Sequence, residues 1–212
     1  ILGSGSNTDD LIISKEEWGL FGYLEYEMID DVYFNAGSRY HKARYTFSEA
    51  NSSTFERKSP DETVYMGGVK YEYARGSNVH MNAQKTFRFL ATDEWYSSWS
   101  GLNTDLDQQS GTQYELGVKH SFDDKAVINI TPYWIDLKGE IYFDPESGFF
   151  GANENYDKTR RIGVEVGARL DLLAWMDLDF LSGAEFFTNY TFQNARFNGG
   201  ANDDKRIPMV PR

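Results

Sequence analysis

Hydrophobic and polar residues alternate along much of the chain, and the alternation is clearest between Thr159 and Leu172. In this segment, TRRIGVEVGARLDL, the apolar positions are Ile162, Val164, Val166, Ala168 and Leu170. The positions between them carry Arg161, Glu165 and Arg169, together with two glycines. A period of two residues predicts a β-strand with one apolar and one polar face. The apolar face is either the core of a soluble β-sandwich or the lipid-facing surface of an outer-membrane β-barrel.

The same alternation recurs in other segments, and it predicts an all-β chain. The predicted strands cover residues 13–28, 32–47, 62–75, 78–89, 112–122, 126–137, 159–170 and 176–194, and a further strand begins at Arg206. The best candidate for an amphipathic helix, ISKEEWGLFGYLEYEM, fits a strand better because apolar residues at Leu24 and Tyr26 alternate with Glu25 and Glu27.

Tight and long connections alternate between the predicted strands. The tight connections are residues 29–31, 75–78, 123–125 and 172–175, and the long polar ones are residues 48–61, 91–111, 139–158 and 195–205. Up-and-down barrels of the outer membrane have short turns on one side and long loops on the other. Structureless loops of about 20 residues are uncommon in compact soluble domains. The predicted fold is therefore an antiparallel up-and-down transmembrane β-barrel.

Read in phase, the predicted strands place charged residues on one face. The residues predicted to line the lumen are Arg39, Glu115, Lys119, Arg161, Glu165 and Arg169, joined by Glu25, Glu27, Lys70, Glu72, His80, Gln84, Arg88 and Glu185. Unpaired charges in a dry core cost several kcal/mol each, so this face is predicted to be wet. The residues predicted to face lipid are Leu20, Leu24, Val69, Tyr71, Leu116, Val118, Ile128, Ile130, Val164, Val166, Phe186 and Tyr190. Pro132 is predicted to mark a bulge.

Composition narrows the function classes. The formal net charge is −12, which argues against a nucleic-acid partner because such proteins need a basic face. The chain has no cysteine, which excludes disulfide scaffolds and thiolate metal sites. Aromatic residues make up 16% of the chain, and no apolar run is long enough for a transmembrane helix.

Aromatic residues in two predicted loops are the candidates for ligand binding. Trp95, Tyr96 and Trp99 lie in one loop and Phe143, Phe149 and Phe150 in another, where they could hold an aromatic ligand or a metal chelate. The alternative is that they pack within their loops or form an aromatic girdle at the membrane interface. Arg88 could meet an anionic ligand or pair inside the lumen.

Enzyme chemistry has little support in the sequence. The three histidines, His41, His80 and His120, lie on different predicted strands, without ligand-spaced partners beside them. No triad, phosphate loop or paired-carboxylate motif can be singled out, so we expect no catalytic residue, no metal site and no cofactor.

Six short stretches add a second, independent observation. They are NAGSRY (35–40), KTFRFLATDEWY (85–96), YELGVKHSF (114–122), RRIGVEVGARL (160–170), NYTFQNARF (189–197) and RIPMVPR (206–212). In this order they resemble AGLRY, GFRAPTLDELY, YELGLKYSF, RRKGVELEL, SYTYTDAKF and RIPLVPRH of the barrel of TonB-dependent outer-membrane receptors. Two features depart from that family: Leu90–Ala91 stand in place of its proline, and the insertion at 94–111 leaves its LKPE element unmatched.

The resemblance implies a role in transport. Such receptors have about 22 strands and a plugged lumen, so residues 1–212 would be an internal part of the barrel, without the plug domain and the terminal strands. It implies a receptor in the outer membrane of a Gram-negative bacterium. The receptor would take up a scarce nutrient, a ferric siderophore or similar metal chelate, with outer-membrane lipid, the plug domain and TonB as partners.

Two other interpretations stay open at this point. The chain could be a self-contained, eight-stranded outer-membrane barrel with a structural or adhesive role. It could also be a soluble β-barrel that binds small molecules, as lipocalins do, although a charged inner face does not suit a dry interior.

Overall fold

A computed structural model describes residues 11–49, 55–97, 101–123, 125–147, 151–171, 174, 184–208 and 210. The strands are β1 (Leu11–Ile29), β2 (Val32–Glu49), β3 (Phe55–Lys58), β4 (Asp61–Ala74), β5 (Ser77–Arg88), β6 (Tyr96–Ser97), β7 (Gly101–Leu102), β8 (Gln109–Phe122), β9 (Ala126–Asp144), β10 (Ala152–Asp171) and β11 (Glu185–Phe197). Two short 3-10 turns, Thr92–Trp95 and Gly200–Asn202, lie in the connections. In the part of the chain that the structure describes, no helix is long and apolar enough to cross a membrane.

One antiparallel sheet contains all of the long strands. Its order is β1-β2-β4-β5-β8-β9-β10-β11, with β3 added beside β2, while β6 and β7 pair only with each other. Long strands that follow each other in the sequence are therefore neighbours in space, which confirms the predicted all-β, up-and-down arrangement. The sheet is open over the described residues, because β1 and β11 are its two edges.

The tight turns all lie at one end of this sheet, which we call the turn end. Asp31 and Asp123 adopt φ values of 64° and 52° there, and Gly76 adopts 70°. Asp, Asn and Gly tolerate this left-handed conformation best, which explains why these residues mark the turns. Three of the four predicted turns are thus confirmed; the fourth, at 172–175, lies outside the described residues apart from residue 174. The long connections leave from the opposite loop end.

The predicted loop at 139–158 is wrong over most of its length. β9 continues to Asp144 and β10 begins at Ala152, so the two strands form a long hairpin with a short connection. The rings of Tyr142 and Tyr156 stack across it with centroids 3.6 Å apart. Aromatic cross-strand pairs stabilise a sheet, and they extend the hairpin here although the segment is rich in polar residues. At about 3.3 Å per residue, the 20 residues of β10 span about 65 Å.

Three smaller predictions also differ from the structure. β3 lies within the predicted loop at 48–61. The strand predicted at 176–194 is confirmed from Glu185 onward, and residues 176–183 lie outside the described residues. The strand predicted from Arg206 is reduced to an isolated bridge with Arg196. Pro132 marks no bulge, because β9 keeps the same register with β8 on both sides of it. Because proline lacks an N–H group, the ladder between β8 and β9 is interrupted here. Two residue pairs are absent, but neither strand has an extra residue.

The strand register sorts the side chains into two faces, as predicted. All fourteen residues predicted to line a lumen share one face, which we call the polar face. The residues predicted to contact lipid share the other, the apolar face, where Val166 lies between Ile130 of β9 and Tyr190 of β11. This face is exposed over a wide area; Leu20, for example, is 72% exposed. The sheet therefore carries a broad apolar surface with no protein layer upon it among the described residues.

Candidate functional site

A buried cluster covers the polar face at the loop end of β2. The cluster comprises Ala43, Tyr45, Phe47, Phe89, Leu90, Trp95 and Leu106, and we call it the aromatic cluster. Tyr45 and Phe47 come from β2, whereas the rest, apart from Ala43, come from the connection between β5 and β8. This connection therefore folds back against the sheet instead of extending into solvent. Together with β2 it forms a buried apolar core.

Ring contacts and one hydrogen bond fix Trp95 at the centre of this cluster. Its ring centroid lies 5.1 Å from that of Tyr45 and 5.4 Å from that of Phe47, both in edge-to-face geometry. The Tyr45 hydroxyl donates to the backbone carbonyl of Leu90 at 2.5 Å. Edge-to-face pairs with centroids 4.5–7 Å apart add roughly 0.5–1.5 kcal/mol each beyond area burial. The connection is thus held by its own packing.

Arg88, the last residue of β5, forms hydrogen bonds within the start of the same connection. Its Nη1 donates to both carboxylate oxygens of Glu94, at 2.9 and 2.8 Å. Glu94 also accepts from the backbone N–H of Ala91 at 2.7 Å, and Gln108 accepts from the N–H of Leu90 at 2.8 Å. The Glu94 carboxylate thus accepts hydrogen bonds from two residues, Arg88 and Ala91, so Arg88 has a local structural partner at the point where the chain leaves β5.

Asparagine side chains fasten the connection to the β9–β10 hairpin. Asn103 donates to the carbonyl of Asn153 at 3.1 Å, and Asn153 donates to the carbonyl of Glu94 at 2.9 Å. Asn155 both donates to the carbonyl of Asp107 and accepts from its N–H, at 3.0 and 2.8 Å. Because these bonds satisfy backbone groups that lack partners within a strand, they hold the two segments in one arrangement.

The structure assigns different positions to the aromatic residues predicted to bind ligand. Trp95 is only 1% exposed, whereas Tyr96 is half-buried in β6. Trp99, Phe149 and Phe150 lie outside the described residues. The packing of Trp95 matches the alternative interpretation, loop packing; ligand contact by these residues and by Arg88 stays a prediction.

Sequence reasoning did not single out Tyr45 and Phe47. On β2 the polar face carries Arg39 and His41 and then changes to Ala43, Tyr45 and Phe47 toward the loop end. A change from polar to apolar side chains on one face indicates that another segment covers that part of the strand, and this signal was available in the sequence.

The other predicted lumen residues form local contacts along the polar face. Arg161 pairs with Glu140, and Arg169 lies 3.7 Å from Glu185. Glu115 accepts a hydrogen bond from Gln113, and both line a cavity of about 140 Å³ together with Tyr133 and Glu165. Among the described residues, no group of three or more His, Asp or Glu side chains could hold a metal ion. Several charged and polar groups of this face are therefore paired with one another.

Gly139 interrupts the alternation of β9 beyond this region. It adopts a φ of 66°, and beyond it Glu140 contacts Thr159 and Arg161 of the polar face. Tyr156 likewise contacts Phe197 edge-to-face at 4.5 Å. The outer part of the hairpin therefore turns its tyrosines toward the same side as the aromatic cluster.

The outer hairpin should respond to alkaline pH. Burial, together with the Asp144 and Glu154 carboxylates, raises the pKa of Tyr142 from 10.0 to about 12. Because the folded-state pKa is raised, the neutral phenol stabilises the hairpin fully below pH 10, and this contribution is lost as the pH rises from about 10 to about 12. The ultraviolet phenolate titration of the wild type minus that of Tyr142→Phe should show a midpoint near 12. A difference curve centred near 10 would mean that partial burial and the neighbouring carboxylates do not act on this hydroxyl.

Comparisons with known proteins agree with this architecture. The family model described as TonB dependent receptor-like, beta-barrel, matches residues 2–212. The ferrichrome outer membrane transporter/phage receptor of Escherichia coli K12 is 25% identical over 169 residues, which cover 77% of this chain and 21% of that protein.

Solved structures show the same fold. The copper transporter OprC superimposes with a TM-score of 0.71 at 15% identity, covering 94% of this chain and 32% of that one. The ferric citrate transporter FecA superimposes with a TM-score of 0.68 at 20% identity, and the match covers 98% of this chain and 31% of that one. The chain thus spans about a fifth to a third of the length of these relatives. With the family match along nearly the whole sequence, the chain belongs to the TonB-dependent receptors and forms part of their β-barrel.

Proposed function

We propose that this sheet is part of the wall of an outer-membrane receptor of a Gram-negative bacterium that takes up a ferric siderophore or similar metal chelate. The division of the sheet into two faces is the observation that carries the proposal. The apolar face contacts lipid, and the polar face, with Arg39, Glu115 and Arg161 among its residues, borders a hydrated lumen. Only in a membrane is so wide an exposed apolar surface stable without a protein partner.

The relatives support a metal-bearing substrate. Their names describe transport of ferrichrome, ferric citrate and copper, two iron chelates and a metal. Transport across such a wall requires binding outside and release inside, with no covalent step. By the family resemblance, a plug domain in the lumen and TonB on the inner side gate the passage.

The folded connection between β5 and β8 is the part of this chain that a ligand would meet from outside. Trp95 holds the connection in shape from within, and Tyr96 lies beside it with its side chain half-exposed. Trp99, Phe149 and Phe150 belong to the same loop end by sequence. We assign contact with the chelate to Tyr96, Trp99, Phe149 and Phe150, and support of the binding surface to Trp95 and Arg88.

Binding and uptake by the full-length receptor test this function. The probes are ferrichrome, ferric citrate, a ferric catecholate and copper(II), measured by intrinsic fluorescence on purified protein and by metal uptake in cells with and without TonB. We expect one probe to bind and its uptake to require TonB. Tyr96→Ala should weaken that binding about tenfold, a loss of about 1.4 kcal/mol. The matched variant Tyr114→Ala, on the apolar face, should leave binding unchanged.

Two results would overturn the proposal. One is uptake that continues undiminished in cells without TonB. The other is a native outer-membrane protein with an intact mass near the 24.3 kDa of this chain, which would favour a small closed barrel with a structural or adhesive role.

A further inference from the structure

Two lysines stand opposite each other at the loop end of the apolar face. Lys138 of β9 and Lys158 of β10 are a cross-strand pair, and both are exposed. Within the described residues, neither ammonium group has an ion-pair partner. Like charges directly opposite each other destabilise a sheet. The pair therefore indicates a position where an anion would relieve repulsion.

A pocket of about 300 Å³ connects the two lysines. Its other lining residues are Lys85, Ser110, Gly111, Thr112, Asp136, Leu137 and Asn198. The acidic group in this pocket is already engaged, since Asp136 accepts from Arg160 Nε at 2.7 Å and from Trp134 Nε1 at 2.8 Å. Lys85 pairs with Glu62. The charges of Lys138 and Lys158 are thus left without compensation inside the pocket.

Acidic residues lie on the other side of Lys138 without neutralising it. Asp61, Glu62, Asp107 and Asp157 line an adjacent cavity of about 470 Å³ that Lys138 also borders. Glu62 pairs with Lys85, and among the described residues none of the four forms an ion pair with Lys138. Their presence limits the strength of an anion site on that side and directs the anion toward Lys158.

The pocket lies just beyond the last aromatic residues of the apolar face. Trp134 and Tyr114 face each other across β8 and β9, and Arg160 stacks over the Trp134 ring at 4.5 Å. Lys138 follows Trp134 by four residues, about 13 Å along a strand, and less in height because barrel strands are tilted. Tryptophan and tyrosine mark the headgroup level of a membrane. The lysine pair is therefore placed where lipid phosphates lie.

We propose that Lys138 and Lys158 bind the phosphate of a lipid headgroup in the outer leaflet. Ammonium groups donate strong, charge-assisted hydrogen bonds to phosphate oxygens, and one phosphate offsets the repulsion of both lysines. Free phosphate has the same chemistry, but this pocket opens on the apolar face, where only an amphiphile also places its tails against the sheet. The inference rests on the proposed membrane setting and not on the identity of the chelate.

Lipid binding by the full-length receptor in an uncharged detergent tests the proposal. The probes are dioleoyl phosphatidic acid, dioleoylglycerol, which has the same tails without the phosphate, and inorganic phosphate alone, all followed by native mass spectrometry. We expect the wild type to retain phosphatidic acid at least fivefold better than dioleoylglycerol. The double variant K138Q/K158Q should lose this preference. The control K119Q/K205Q also removes two positive charges, one from the polar face and one from the connection after β11. It should keep the preference for phosphatidic acid.

Each other outcome overturns the proposal. Equal retention of phosphatidic acid by the wild type and K138Q/K158Q would mean that the two lysines do not bind the lipid phosphate. Complete competition by millimolar inorganic phosphate would mean a site for a soluble anion.

Heat denaturation separates loss of the site from loss of the fold. In detergent without phosphate, K138Q/K158Q should melt at or above the temperature of the wild type, because the substitution removes a repulsive pair. Chelate binding by the same variant should be unchanged. A failure of the lipid site can thus be told apart from a failure of the proposed receptor function.

Discussion

Replacing Trp95 with alanine is expected to open the connection between β5 and β8 while the sheet stays folded. Removal of a buried tryptophan or phenylalanine side chain costs about 3–5 kcal/mol. Trp95 is 1% exposed and contacts both Tyr45 and Phe47, so little space is available for the cluster to collapse into the cavity. The opening equilibrium of this segment should rise at least a hundredfold, since each 1.4 kcal/mol corresponds to about a factor of ten.

Amide hydrogen exchange of the full-length receptor measures this opening directly. Amides at 89–97 and 101–108 should lose protection, whereas amides of β9 and β10 near Val166 should keep theirs. Phe143→Ala is the matched control, because its ring is 55% exposed at the loop end. That variant should leave exchange at 89–108 unchanged. Full protection of the connection in Trp95→Ala would mean that the asparagine contacts with β10 hold it without the aromatic cluster.

An arginine at position 166 should impair membrane insertion far more than an arginine on the other face. Val166 lies at the middle of the apolar stretch of β10, between Ile130 and Tyr190. A charged side chain at the bilayer midplane of a barrel costs about 2–4 kcal/mol. Asn189 of β11 pairs with Gly167, at the same height but on the polar face. Asn189→Arg should therefore cost much less, because its side chain stays in water.

Urea titration of the full-length protein refolded into phosphatidylcholine vesicles compares the two variants. Val166→Arg should lower the free energy of unfolding by about 2–4 kcal/mol, and Asn189→Arg by less than about 1 kcal/mol. The reverse order would mean that the faces are exchanged and that lipid contacts the charged side. Equal and small effects would favour a soluble sheet.

The two faces could be predicted from the sequence because the information is local. Successive residues of a strand face opposite sides of the sheet. The apolar residues from Ile162 to Leu170 and the charged residues from Arg161 to Arg169 can therefore be assigned to opposite faces from this one strand, before its neighbouring strands are known. The turn end was equally accessible, since Asp31 and Gly76 accept a backbone conformation that other residues avoid.

The loop end could not be predicted in the same way because distant residues decide it. Tyr45 and Leu90 meet across 45 positions of sequence, and the asparagines of β10 reach a connection about 50 residues earlier. A tryptophan such as Trp95 is equally suited to contact a ligand or to pack in a core. Only the residues around it in the fold show which role it has. The extended part of β9 and β10 carries the stacked rings of Tyr142 and Tyr156, which are diagonal neighbours across the two strands, and the sequence of either strand alone does not show this contact.

The break at Gly139 divides the β9–β10 hairpin into two parts that evolution can change separately. Before it, the insertion of a single residue would shift the strand register by one position and exchange the two faces. Beyond it, residues can be gained or lost in cross-strand pairs while Val166 and its neighbours stay in place. The outer part of the hairpin can therefore change in length and in surface chemistry while the strand register before Gly139 is kept.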